Sequence, residues 1–256
     1  AAANLMATDP LGLLFMAVDI TETDASKSSA VLKLTPSGDL IWSNYLANVV
    51  LTGIAGDTTG GAIVCGWEQP TRNGHAIVVA RYSSAGSLVW RNSFSEDGKA
   101  LGIALNTTGH ANIVALTDPP PSTTAQTSVD RFSVIQFGFA DGAQRWANHL
   151  NVNPFFSPED GFGIAVDGSD NVVAVGSGLT NTSFTFSSHN DFITRKLDSN
   201  GNLQWSRILD GGSEGDDIAR RVAVDAGGNI FVAGEMEGTS NRQLAVAKYD
   251  SAGAHQ

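Results

Sequence analysis

Short apolar segments alternate with polar turns along the whole chain, and the pattern recurs about every fifty residues. Each copy contains an apolar segment, a polar turn with glycine and a second apolar segment, as in "IAVDGSDNVVAVG" from Ile164. The turn begins with Asp or Asn, whose side chain can bond the backbone two residues on. These turn residues are Asp9, Asp57, Asn106, Asp167 and Asp225. The pattern predicts two strands, A and B, in each copy.

Two further strands, C and D, follow in each copy. Strand C alternates apolar and polar residues and ends in a second glycine turn, and strand D begins with Gly-x-x-x-Trp. The tryptophans are Trp42, Trp90, Trp146 and Trp205. A cation lies five residues before the turn glycine in four copies, as Lys33, Arg81, Lys196 and Lys248, and Phe137 replaces it in the third. We predict that each Trp packs between neighbouring copies and that each cation is a solvated or ion-paired strand residue.

Four strands every fifty residues, with no helical periodicity, are typical of the blades of a β-propeller. We therefore predict an all-β protein in which residues 1–256 form a single domain of about five four-stranded antiparallel blades. The approximate blades are 1–42, 43–90, 91–146, 147–205 and 206–256. The last copy stops before its strand D, so the blade is incomplete in this chain. This fits either a five-bladed ring with a partial last blade or a piece of a longer ring or protein.

Composition narrows the classes of partner. The chain has 42% hydrophobic residues and a mean hydropathy of −0.03, which is typical of a soluble globular protein. Its net charge of −11 disfavours nucleic acid as a partner, because an acidic surface repels phosphates. No apolar stretch is long enough to predict a transmembrane segment. The single cysteine, Cys65, excludes an intrachain disulfide and is expected to be buried.

The fourth and fifth copies carry a family resemblance. The run from Asp191 to Glu235 contains Lys-x-Asp-x-x-Gly-x-x-x-Trp followed by Asp-x-x-Gly-Asn, and it resembles the bacterial SBBP-type β-propeller repeats. The third copy departs most, with "FGFADGAQRW" and an inserted "PPPSTTAQTS". The resemblance implies a bacterial protein that is secreted or exposed at the cell surface, with the periplasm as an alternative. It implies a scaffold or binding module and no particular activity.

The loops indicate which end of the blades binds ligands. In an up-and-down blade the A–B and C–D turns share one end, and the B–C and D–A connections share the other. The B–C loops are long and variable, and variable loops on a rigid scaffold are where binding usually resides. We predict a ligand-binding face at that end, with the candidate residues Phe156, Phe184, Phe186, Arg72 and Glu237.

The predicted D–A loops are rich in acids. Those preceding the later A strands contain Asp97, Asp160, Asp216 and Asp217, and A strands line the channel of a propeller. Because calcium takes six to eight oxygen ligands, a calcium site at the channel mouth is one hypothesis for these four residues. Solvated acids, or caps of local turns, are the other.

Three functions stay open on the sequence. The leading one is a secreted or cell-surface module that binds a protein or glycan, or scaffolds an assembly, through the B–C and D–A loops. A hydrolase or lyase could instead use the loop carboxylates at the channel mouth, since paired carboxylates cleave glycosidic bonds. The third is a structural spacer in a larger protein or filament. No motif of a catalytic residue set or of a cofactor is recognisable, so the enzyme hypothesis is the weaker one.

Overall fold

A computed structural model describes residues 2–23, 26–68, 75–117, 131–150, 159–178, 189–211, 215–238 and 241–256, with only the backbone at 2–4, 95–97 and 159–161. These residues form eighteen strands. They are β1 (Ala2–Thr8), β2 (Leu14–Thr21), β3 (Lys27–Leu34), β4 (Leu40–Leu46), β5 (Val49–Gly56), β6 (Ala62–Glu68), β7 (Ala76–Tyr82), β8 (Leu88–Leu105), β9 (Ala111–Thr117), β10 (Arg131–Phe137), β11 (Gln144–His149), β12 (Glu159–Val166), β13 (Val172–Gly178), β14 (Asp191–Leu197), β15 (Leu203–Leu209), β16 (Ile218–Val224), β17 (Ile230–Glu237) and β18 (Arg242–Tyr249). Within the described residues, no helix has the length and apolar character needed to cross a membrane.

The strands pair in chain order into antiparallel sheets, as the repeat predicts. Strands β1 to β4 form one sheet, β5 to β11 a second, β12 to β15 a third and β16 to β18 a fourth. The seven-stranded sheet holds two blades that share β8, an 18-residue strand. Counted by blades, with β8 contributing to two of them, the described residues form four four-stranded sets and a last set of three. An isolated antiparallel bridge joins Tyr249 at the end of β18 to His255.

The shared strand corrects one detail of the sequence analysis. The segment with Glu96 and Asp97 was predicted to be a D–A loop, but it lies within β8. Asp160 likewise lies within β12. Asp160 pairs with Ser177 of β13, and Asp97 pairs with Ala76 of β7 across a bulge that shifts the register, so the strand pairing extends to both acidic segments.

Contacts divide the chain into two compact units. Unit 1 comprises residues 1–113 and 137–145, and unit 2 comprises 114–136 and 146–256. In unit 1 the first two blades pack around buried residues such as Phe15, Val31 and Val64. In unit 2 the last two pack around Val173, Phe192 and Ile230. The predicted single domain stays a prediction.

The A–B turns are closed by their Asp or Asn side chains, as predicted. Asp57 Oδ1 accepts the backbone N–H groups of Thr59 and Gly61, both at 2.8 Å. The same pair of acceptor contacts recurs at the other four turns, at Asp9, Asn106, Asp167 and Asp225. Because the carboxyl or amide oxygen is used within the turn, these residues are structural.

Each repeated Trp joins its blade to the next, which confirms the predicted packing role. The indole N–H of Trp146 donates to Ser199 O at 3.2 Å, and the ring lies against Gly201. Asn148, two residues later, donates to Gly201 O at 2.7 Å. Equivalent contacts connect Trp42 to Ser84, Trp90 to Phe139 and Trp205 to Ser251. The C–D turn glycine has a positive φ in every copy, so the backbone can approach the indole closely.

The repeated cations are more buried than predicted. Lys196 Nζ lies 2.9 Å from Asp167 Oδ2, with the two side chains only 3% and 8% exposed. Arg81 pairs with the turn residue Asp57 at 3.1 Å. Burial by itself would raise the pKa of Asp167, but hydrogen bonds from Lys196, from the Asn171 side chain and from two backbone N–H groups hold it below its usual value. In the second and fourth blades the cation therefore neutralises the carboxylate that closes the A–B turn of its own blade, whereas Lys33 donates to Gly60 O and Ser84 O of the next blade.

Candidate functional site

Each blade has two ends of different character. We call the end with the A–B and C–D turns the turn end and the end with the B–C and D–A connections the loop end. At the loop end, the residues that enter strand C are hydrogen bonded to the D–A connection. Asp217 N donates to Asn190 O at 2.6 Å in unit 2, and Gly98 N donates to His75 O at 2.7 Å in unit 1. In the first blade the Asn48 N–H donates to Ser28 Oγ at 3.2 Å. B–C and D–A segments thus meet at the same end of a blade, as predicted.

Most of the predicted ligand-binding residues lie outside the described part of the chain. Phe156, Phe184, Phe186 and Arg72 belong to this group, so their prediction is untested. Glu237 is described, at the end of β17, where its carboxylate pairs with Arg242 at 3.1 Å. Its backbone N–H donates to Asp217 Oδ1 at 2.8 Å. Glu237 therefore borders the D–A connection of its blade.

The four predicted calcium ligands have different positions. The side chains of Asp97 and Asp160 lie outside the described atoms. Asp216 Oδ1 accepts the backbone N–H of Asn190 at 2.8 Å, so it caps the B–C loop. Asp217 is fully buried and accepts N–H groups from Gly211 and Glu237, at 2.6 and 2.8 Å. Both residues tie the D–A connection to its neighbours.

Asp217 also belongs to a cluster that the sequence analysis missed. Asp191 opens β14, Asp210 follows β15, and Asp217 precedes β16. One carboxylate oxygen from each lies within 4.8 Å of the other two. We call these three residues the acidic junction, because they stand where the fourth blade passes into the fifth. Within the described residues it is the only such group of three or more His, Cys, Asp or Glu side chains.

The electrostatics of the acidic junction centre on Asp191. Its side chain is 6% exposed, and its Oδ1 atom is buried without a hydrogen-bond partner among the described residues. Burial and the neighbouring charge of Asp210 raise the pKa of Asp191 to about 6, with a smaller contribution from Asp217, while His189 acts in the opposite direction. Asp210 is exposed, so one side of the group faces solvent. Three carboxylates in this geometry can hold a cation or share a proton.

Comparison with known proteins bears on the fold. No protein-family model and no curated relative matches the chain. Among solved structures it is similar to an ulvan lyase, a polysaccharide lyase, with 8% identity over 98% of this chain and 68% of that one at a TM-score of 0.59. The Dos1 propeller matches with 13% identity over 99% and 70% at 0.54. Regucalcin, a calcium-binding protein from Agrobacterium tumefaciens, matches with 13% identity over 100% and 72% at 0.51.

The chain has the β-propeller fold. At these identities the likeness extends to the fold alone, because the similar structures include both an ulvan lyase and a calcium-binding protein. The candidate site must therefore be judged on this propeller's own residues. These place the acidic junction at the loop end, beside the entry to strand C of the fourth blade.

Proposed function

We propose that this β-propeller is a binding or scaffold module of a secreted or cell-surface bacterial protein, and that it contacts a protein or glycan ligand through the loop end of its blades. The observation that carries the proposal is the difference between the two ends. At the turn end, the Asp and Asn side chains are used to close the turns. At the loop end, the backbone N–H groups of Gly98 and Asp217 in the D–A connections donate to carbonyls at the entry to strand C, so the B–C and D–A segments of a blade lie side by side.

The turn end is poorly suited to recognition. Its carboxylates already accept two backbone N–H groups each, and two of them also pair with a cation. A ligand would have to break those contacts before it formed its own. Breaking them costs more free energy than new neutral hydrogen bonds to the ligand would contribute. The loop end has the long variable segments that the turn end lacks, and such segments can differ between blades without disturbing the sheets.

Membership of the SBBP-type repeat group and a bacterial origin are part of the proposal. They are supported by the motif between Asp191 and Glu235, whose turn and Trp positions have the structural roles described above. The secreted or cell-surface location is proposed on this resemblance alone.

The test compares the two ends on one set of ligands. Purified polysaccharides and purified bacterial surface proteins are immobilised one at a time, and binding of the full chain to each is measured by surface plasmon resonance. Arg72→Ala and Phe184→Ala change residues that the sequence predicts to lie at the loop end. Arg145→Ala and Leu11→Ala remove similar side chains that are exposed at the turn end. We expect at least a tenfold loss of affinity for one loop-end variant, since anchor residues of interfaces cost about 2 kcal/mol or more and tenfold corresponds to about 1.4 kcal/mol.

Hydrolysis and elimination are measured on the same polysaccharides, by new reducing ends and by absorbance of unsaturated products. Turnover that the loop-end variants abolish would replace this proposal with the hydrolase or lyase function. Equal losses at both ends, or no binding to any ligand, would contradict a loop-end binding module and favour a structural spacer.

A further inference from the structure

We propose that Asp191, Asp210 and Asp217 form a binding site for a hard divalent cation, namely calcium. The bound ion would hold the fourth blade against the D–A connection of the fifth. This inference does not depend on the proposed function, because a cation clamp would serve a spacer or an enzyme equally well. It also differs from the calcium hypothesis of the sequence analysis, which included neither Asp191 nor Asp210.

The geometry provides the first argument. Three separate segments, the start of β14, the end of β15 and the residue before β16, bring one carboxylate oxygen each to within 4.8 Å of one another. Oxygen atoms bound to one calcium ion at 2.3–2.6 Å lie at most about 5 Å apart. The three oxygens could therefore share one ion without a rearrangement of the strands that carry them.

Burial provides the second and independent argument. Only 6% of the surface of Asp191 is exposed, and its Oδ1 has no hydrogen-bond partner among the described residues. A buried charged oxygen without a partner is costly, and such atoms in native proteins call for an explanation by a missing ion or water. A cation bound among the three carboxylates would supply that partner.

The first two blade junctions show that the repeat itself does not need these acids. Counting from the repeated cation, the position of Asp191 is held by Ser28 in the first blade and Ala76 in the second. The positions of Asp210 and Asp217 are held by neutral residues as well. At the first junction these are Ala47 and Val49, and at the second they are Ser95 and Gly98. At the third junction Glu159 holds the position of Asp217, so the combination of all three carboxylates is particular to the fourth junction, where mutual repulsion would otherwise weaken the packing.

The chemistry of the group selects the class of cation. All three ligands are carboxylates, which favour calcium, magnesium or manganese over zinc or copper. Asp217 is held in place by two backbone N–H groups, and each of its oxygens keeps a further lone pair. The exposed Asp210 leaves one side of the site open to water, and calcium accepts water and an irregular ligand shell more readily than magnesium does.

Calorimetric titration and thermal unfolding of the full chain test the proposal. After treatment with chelator, calcium chloride is added up to 10 mM, with magnesium chloride as the parallel arm. If the dissociation constant is about 0.1 mM, as in many extracellular modules, we expect one ion per chain and a Tm higher by about 5–10 °C. Asp191→Asn and Asp210→Asn should each abolish this shift. Both variants should fold, because they keep the side-chain shape and remove one of three like charges.

Two control variants make the residue assignment falsifiable. Asp198→Asn removes a charge from a C–D turn at the turn end and should leave the calcium shift unchanged. Asp216→Asn lies next to Asp217 but outside the cluster and should also keep the shift. Loss in Asp216→Asn with retention in Asp210→Asn would overturn the assignment to these residues. No calcium-dependent shift in the unmodified chain, or the same shift in Asp191→Asn, would overturn the site itself, and the binding test at the loop end would be unaffected.

Discussion

Replacement of Lys196 by Met would measure what the repeated cation contributes to a blade. Lys196 is 3% exposed, lies 2.9 Å from Asp167 and also donates to Ser251 O of the next blade at 3.3 Å. Methionine fills most of the same volume but leaves the Asp167 carboxylate buried without its cation. Loss of one partner of a buried pair typically costs about 3–5 kcal/mol. Because Asp167 keeps its contacts to Ser169 and Asn171, we expect the lower limit, about 3 kcal/mol.

The same position in the last copy provides the matched control. Lys248 is partly exposed, and its ammonium group lies over the Phe231 ring at 5.7 Å. Lys248→Met should therefore cost no more than about 1 kcal/mol, as for an exposed ionic or cation–π contact. Urea titration followed by tryptophan fluorescence would give both free energies of unfolding. In thermal melts, Lys196→Met should lower Tm by roughly 6–12 °C.

The difference in the free energy of unfolding between the unmodified chain and Lys196→Met should depend on pH in a definite direction. The pKa of Asp167 is lower in the folded chain than in the unfolded one, so the pair stabilises the fold above the unfolded pKa of about 3.8. That contribution is lost as the pH falls through the lower, folded pKa. The gap between the unmodified chain and Lys196→Met should therefore be largest near neutral pH and shrink below about pH 4. If Lys196→Met and Lys248→Met differ by less than 1 kcal/mol at pH 7, the argument from burial is wrong.

Two further predictions concern the packing of the blades. Gly201→Ala should destabilise the fold by about 1–3 kcal/mol more than Gly38→Ala in urea titrations, because both glycines have a positive φ but only the new Cβ at 201 would lie 2.6 Å from the Trp146 ring. Equal losses would show that backbone strain, rather than contact with the indole, determines the cost. Burial raises the pKa of Cys65 to about 12, so a chromogenic disulfide reagent at pH 8 should react with the thiol only after unfolding. A rapid reaction in native buffer would contradict the burial of Cys65.

The fold was predictable because its signals are local and repeated. An Asp or Asn that closes a tight turn and a Trp that follows a turn glycine each depend on a few neighbouring residues, so their spacing alone predicts their roles. Asn148 shows a signal that was present but not used. An Asn follows the Trp by two residues in three of the four copies, and in each case it donates to the turn glycine of the next blade.

The third copy illustrates a limit of counting along the chain. Its C–D turn is longer, since Gly138 N bonds Ala143 O, whereas Asp198 N bonds Asn202 O in the fourth copy. Because of the extra residue, the strand position that holds the cation in the other copies lies six rather than five residues before the turn glycine. Phe137 is consequently a fully buried core residue, and Gln136 precedes it in the position of the cation. A one-residue change in a turn moves side chains to the opposite face of a strand, and sequence spacing cannot detect it.

The acidic junction could be predicted only in part. Asp217 was found because it belongs to an acidic run before a strand, but Asp191 and Asp210 stand alone in the sequence. They meet Asp217 only because β14 and β15 are antiparallel neighbours, with the Phe192–Leu209 pair next to both acids. Long-range register of this kind depends on the fold, so the cluster becomes visible only when the strands are paired.

The contrast between repeated and unrepeated residues indicates where function should be sought in this chain. A residue that recurs in every blade must serve every junction alike, and the recurring Asp and Trp residues do so through turn closure and contact with the next blade. A residue particular to one junction is under no such requirement. Neutral residues such as Ser28 and Ala76 suffice where Asp191 stands, so packing alone does not explain a buried carboxylate there. Departures from the repeat at the loop end are therefore the positions at which mutations should separate binding from folding.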